Sequence, residues 1–103
     1  MALTAISQSR IVDSSNTFLA IGTAIAADAK ISIYVVNASG ASGNFRLAIS
    51  PATPSAGEYL FYNVALAANG TFVASDVYVK ATDNIWIYAP VDFTARVDGV
   101  TLV

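Results

Sequence analysis

The sequence contains neither cysteine nor histidine. These absences remove any disulfide framework, the usual thiol nucleophile, the usual general base and the main transition-metal ligands. A Ser/His/Asp arrangement is therefore excluded. Charge is scarce as well: charged residues make up 12% of the 103 positions, where an ordinary soluble domain carries about 25%. The five cations, Arg10, Lys30, Arg46, Lys80 and Arg96, are scattered, and the formal charge is −2. No basic stripe exists to neutralise phosphates, so nucleic acid is not an expected partner. Long apolar runs are missing too. The stretch "FLAIGTAIAA" is too short to span a bilayer and has no cationic region before it. It reads as neither a membrane helix nor a signal peptide, and a soluble, unprocessed chain is expected.

What is present is apolar and β-like. A chain of 103 residues fits one domain, residues 1–103, and buries roughly two thirds of its unfolded surface without a staple. Runs rich in β-branched and aromatic residues recur between clusters of Gly, Asn, Asp, Ser and Pro: "LTAISQSRIV", "FLAIGTAI", "KISIYVVN", "NFRLAIS", "YLFYNVAL", "TFVASDVYVK", "IWIYAPV", "FTARV" and "VTLV". That spacing predicts an all-β fold, a single antiparallel β-sandwich, jelly-roll-like, of about eight strands. The Ala-rich "ALAAN" and "AIAADAK" are the places where a helical turn would intrude.

Alternation assigns strand faces. Ile31, Ile33 and Val35 point to the core, as do Phe45, Leu47 and Ile49, while Asn44, Arg46, Ala48 and Ser50 point away. The link "NASGASGN" between these runs is expected to be a permissive hairpin connection. Pro51 ends the following strand, residues 51–58 form a loop, and Asn69-Gly70 is a hairpin-type turn signal.

Candidate chemistry is thin. Asp76 and Asp83 would need a raised-pKa pocket to act as an acid/base pair, and read instead as solvated turn caps. "ATDNI" lacks the spaced acidic pattern of a calcium loop, and the triplets at Asn37 and Asn69 that match the glycosylation pattern read as turns. The aromatic group in "VYVKATDNIWIYAP" is more informative. A five-residue turn over 81–85 would set Val79 opposite Ile87, Lys80 opposite Trp86 and Tyr78 opposite Tyr88. One face would then be aliphatic and the other a patch of Tyr78, Lys80, Trp86 and Tyr88. Such a patch suits a protein interface or a sugar-stacking platform, and the plain alternative places Trp86 in the core.

Across nearly the whole chain, "VVNASG", "FRLAISP", "YLFYNVALAANGTF" and "VYVKATDNIWIYA" occur in an order that resembles small virion proteins of tailed bacteriophages. The resemblance implies a compact β-sandwich that is not an enzyme and takes no cofactor. It implies a capsid decoration (cement) protein made in the host cytoplasm, which sits on the outer surface of the virion as a homo-oligomer, commonly a trimer. Its partner would be the major capsid protein. The second role it implies is a tail or head-fibre accessory module, with host-surface carbohydrate as a further candidate ligand. It supplies no site motif, so no residue role is carried over.

Overall fold

The computed structural model describes residues 4–13 and 17–102. Eight strands form: β1 (Ala5–Ile11), β2 (Phe18–Ala20), β3 (Ala29–Asn37), β4 (Gly43–Ser50), β5 (Tyr59–Leu66), β6 (Thr71–Val79), β7 (Asn84–Tyr88) and β8 (Phe93–Thr101). "FTARV" and "VTLV" merge into β8, so eight strands form among the described residues. Among the described residues the one helical turn lies over Ala56–Glu58 in the Pro/Gly/Ser loop rather than in either Ala-rich stretch.

The strands make two four-stranded antiparallel sheets, sheet A in the order β1-β8-β3-β6 and sheet B in the order β2-β7-β4-β5. This is the strand order of a jelly roll. Every sequential connection except β4 to β5 crosses from one sheet to the other. That corrects two sequence expectations. β3 and β4 are not a hairpin, since they lie in facing sheets, and the Asn69-Gly70 turn also joins strands of different sheets. The inward faces were nonetheless assigned correctly. Ile31, Ile33, Val35, Phe45 and Leu47 are buried, and Ile49 packs against them from the margin.

Ile85, Ile87, Phe93, Ala95 and Val97 complete the layer between the sheets. Close approach fixes one backbone position: a Cβ on Gly99 would collide with the Lys30 carbonyl oxygen. Two strands carry bulges. Ile31 pairs with Val77 and Ile33 with Ala74, leaving an extra residue in β6 where Asp76 takes φ 58°. In β5 the register shifts twice against β4, with Asn63 at φ 49°. Asn and Asp tolerate this left-handed conformation better than most side chains, and a bulge re-aims the neighbouring side chains of its strand.

The loop after β3 is a built connector. Asn37 is fully buried, and its Nδ2 donates to the carbonyls of Ala41 (2.8 Å), Leu66 (3.2 Å) and Ala67 (3.2 Å). Its Oδ1 accepts from the Ser39 backbone N–H (3.0 Å) and hydroxyl (2.7 Å). One amide thus ties "NASGA" to the end of β5, and the Asn37 side chain is committed to the fold.

Candidate interface on the outer face of sheet B

The expected hairpin between β6 and β7 does not form, because β6 belongs to sheet A and β7 to sheet B. Val79 and Ile87 are both buried but contribute to the core from opposite sheets. The four candidate residues therefore do not make one patch. Tyr78 stands on the outer face of sheet A, 67% exposed, opposite Lys30 of β3, whose Nζ lies 5.9 Å from its ring centroid. Lys80 is exposed just beyond β6, in the turn where its backbone N–H lies 3.4 Å from Asp83 Oδ2. Asp76 pairs instead with Lys30 at 3.2 Å. Trp86 and Tyr88 lie on the outer face of sheet B, because the neighbouring Ile85 and Ile87 point inward.

On that outer face Trp86 and Tyr88 gain neighbours the sequence pattern did not reveal. Across the ladder, Tyr88 pairs with Phe18 of β2 and with Arg46 of β4, and Trp86 pairs with Ala20 and Ala48. The planar groups close into a ring. Phe18 lies 5.3 Å from Tyr88 between centroids, and the Arg46 guanidinium lies 4.4 Å from Tyr88 and 4.2 Å from Tyr62. Tyr62 is 5.2 Å from Tyr59, which stacks on Phe18 at 5.6 Å. Arg46 Nε also donates to Asn63 Oδ1 at 2.7 Å, a contact that the β5 bulge makes available.

Each ring contact lies in the range where offset or tilted aromatic pairs are favourable, and Arg stacks well on aromatic faces. The outward-facing Ala48 is fully buried. Trp86 is half-buried, and its Nε1 donates to the Ser50 carbonyl at 2.9 Å. Tyr62 is the most open of the group at 56% exposed. Just before β5, the Glu58 carboxylate accepts from the Ser55 backbone N–H (2.9 Å), the Ser50 hydroxyl (2.7 Å) and the Ser55 hydroxyl (3.1 Å). These donors, the backbone one first, hold its carboxyl below the ordinary value.

Alternation had placed Arg46 outward, and that was the available signal. Tyr59 and Tyr62 were hidden because they are three residues apart, a spacing that strict alternation cannot put on one face. The bulges in β5 do so. Chemically the arrangement offers apolar ring area, three phenol hydroxyls and one oriented guanidinium. Among the described residues no three Asp or Glu side chains gather to hold a metal.

No family model matches the chain, and no curated protein does. Among solved structures, RmlC from Streptococcus suis in complex with dTDP-D-xylose aligns over 98% of this chain and 44% of its own, at 12% identity and a TM-score of 0.35. The chain thus spans less than half of that protein. A likeness so distant transfers neither ligand nor activity, and the jelly-roll assignment rests on the strand order.

Proposed function

We propose that the chain is a non-enzymatic structural protein of a bacteriophage particle. In this reading it is a decoration module that seats the outer face of sheet B on neighbouring copies of the major capsid protein and clamps the junction between them. The observation behind it is the preassembled ring of Phe18, Tyr59, Tyr62, Tyr88 and Arg46, with Trp86 on the same face of β7 as Tyr88, on a sheet whose strands contain no other charged residue. Aromatics and Arg are the side chains that most often anchor interfaces, and rings already held by one another lose little freedom on docking. Burial then stabilises the junction by about 25 cal/mol per Å² of apolar area before association costs. The virion setting comes from the sequence resemblance, because jelly rolls host unrelated functions.

Tyr62→Ala and Trp86→Ala test the reading through particle occupancy and thermal stability measured together. Tyr62→Ala is expected to stay folded at a cost of about 1 kcal/mol, since it removes the ring's contacts to Tyr59 and Arg46. It should also weaken attachment by about 2 kcal/mol. Undiminished occupancy on the shell with both variants folded overturns the docking face. A second reading, a tail or head-fibre module that stacks host carbohydrate, is favoured by Trp86. Its indole N–H is already taken by Ser50, so what it has left to offer a ligand is a ring face. Quenching of the single tryptophan's fluorescence by host glycans, with shell occupancy unaffected by either variant, selects that reading.

A further inference from the structure

The four edge strands of the sandwich are unlike one another. β2 is three residues long, and β5 and β6 are bulged. These are devices that blunt an edge against pairing with another chain. β1 pairs with β8 over seven consecutive residues, from Ala5↔Val100 to Ile11↔Thr94, without a register shift. Among the described residues no strand lies on its other side.

The bonding phase of β1 is set by its ends. Thr101 N donates to Thr4 O at 2.9 Å, Val12 N donates to Phe93 O at 2.7 Å, and Asp92 N donates to Val12 O at 3.1 Å. Even-numbered residues therefore turn their N–H and C=O toward β8. Because that direction alternates along an antiparallel strand, Ala5, Ser7, Ser9 and Ile11 turn theirs to the open side. Their side chains lie on the outer face, where Ile11 is 66% exposed.

The inward side chains of the same strand serve the facing sheet. Gln8 Nε2 donates to Thr23 O at 2.9 Å, and Arg10 Nη1 to Ala20 O at 3.0 Å. Gln8 Oε1, however, is buried with no hydrogen-bond partner. It borders a cavity of about 310 Å³ between β1 and residues 23–26. The inward side chains are thus committed within the monomer, and the open edge offers its backbone groups and the outer side chains.

We propose that β1 is a self-association edge, where a second copy of this chain adds its own β1 antiparallel and joins two four-stranded sheets into one of eight strands. In the register that pairs all four open residues, Ala5 faces the partner's Ile11 and Ser7 faces the partner's Ser9. The same register sets the two Gln8 side chains opposite each other on the two-fold axis. Self-complementarity selects a second copy: one two-fold register pairs all the open backbone groups and sets only Ala5, Ser7, Ser9 and Ile11 against their counterparts on the outer face. The outer face of sheet B stays free in such a dimer, and the symmetry is two-fold rather than the three-fold the sequence resemblance implies.

Sedimentation velocity over roughly 1 to 300 µM, together with residue-resolved amide exchange by NMR, tests this on the full chain. The expected result is a monomer–dimer equilibrium in which the Ser7, Ser9 and Ile11 amides slow by about tenfold or more as the dimer fills. Ser9→Pro removes an open-side N–H and leaves the β8 ladder intact. It should weaken dimerisation by about tenfold or more with an unchanged monomer melting temperature. If Ser9→Pro does not fold, concentration-dependent exchange in the unaltered protein decides alone. A monomer at the highest concentration, a trimer, or a dimer that leaves those amides unprotected overturns the proposal.

Discussion

The two outer faces of the sandwich are each made from four antiparallel strands, but they treat charge and aromatics differently. The strands of sheet A contain Arg10, Lys30, Asp76, Arg96 and Asp98, whereas those of sheet B contain only Arg46. On the outer face of sheet A, charges are neutralised locally, Lys30 by Asp76 at 3.2 Å and Arg96 by Asp98 at 2.8 Å. Sheet B instead closes four rings around one guanidinium. Exposed ion pairs suit a face turned to water and contribute little to stability. Interlocked rings make a firm apolar surface whose geometry exists before any partner arrives. Of the six charged residues within strands, five thus belong to sheet A.

That contrast belongs to the outer faces alone, and the largest effects should ignore it. Leu47 of sheet B and Ile33 of sheet A are both fully buried. Replacing either with Ala is expected to cost about 2 to 5 kcal/mol in urea melts. A loss within about 0.5 kcal/mol for one of them, the range usual for surface positions, would show that its strand faces the other way.

Substitutions on the outer faces should then separate the sheets. Tyr88→Ala opens the ring by removing the contacts to Phe18 and Arg46, for an expected loss of about 1 to 3 kcal/mol. Tyr78→Ala, on sheet A and 67% exposed, is expected to cost about 0.5 kcal/mol or less. Equal losses would mean that the ring adds nothing beyond ordinary surface packing.

The two sheets also differ in how far the sequence reveals them. Alternation in "KISIYVVN" and "NFRLAIS" identified the inward residues. It could not say whether two consecutive strands lie side by side or face to face, because inward side chains meet in the core either way. That ambiguity turned β3–β4 and β6–β7 into expected hairpins and joined Tyr78 and Lys80 to Trp86 and Tyr88. The aromatic and cationic character of the patch was legible from composition, while its membership depended on long-range pairing of β7 with β2 and β4. Local signals do not encode such pairings. Arg46 replaced Lys80 as the cation because it lies directly across the ladder from Tyr88.

The smallest expected effect concerns how each face holds a carboxylate. Glu58, beside sheet B, is held below its ordinary value by the Ser55 backbone N–H and then the Ser50 hydroxyl. Asp98, on sheet A, is held down first by its hydrogen bond to Arg96. A folded value below the unfolded one means that each contribution is present at neutral pH and is lost as pH falls through the folded value. The urea midpoint should therefore be flat from about pH 7 to pH 5 and decline below about pH 4. Salt distinguishes the two mechanisms. At 1 M the screening length falls to about 3 Å, which weakens the exposed Asp98–Arg96 pair but leaves the neutral donors of Glu58 in place. Glu58→Gln is thus expected to reduce the acid-side slope equally in low and high salt, and Asp98→Asn to reduce it chiefly in low salt. If high salt abolished the whole acid-side slope of the unaltered protein, Glu58 would not be held by these hydrogen bonds. Both faces would then treat charge in the same way.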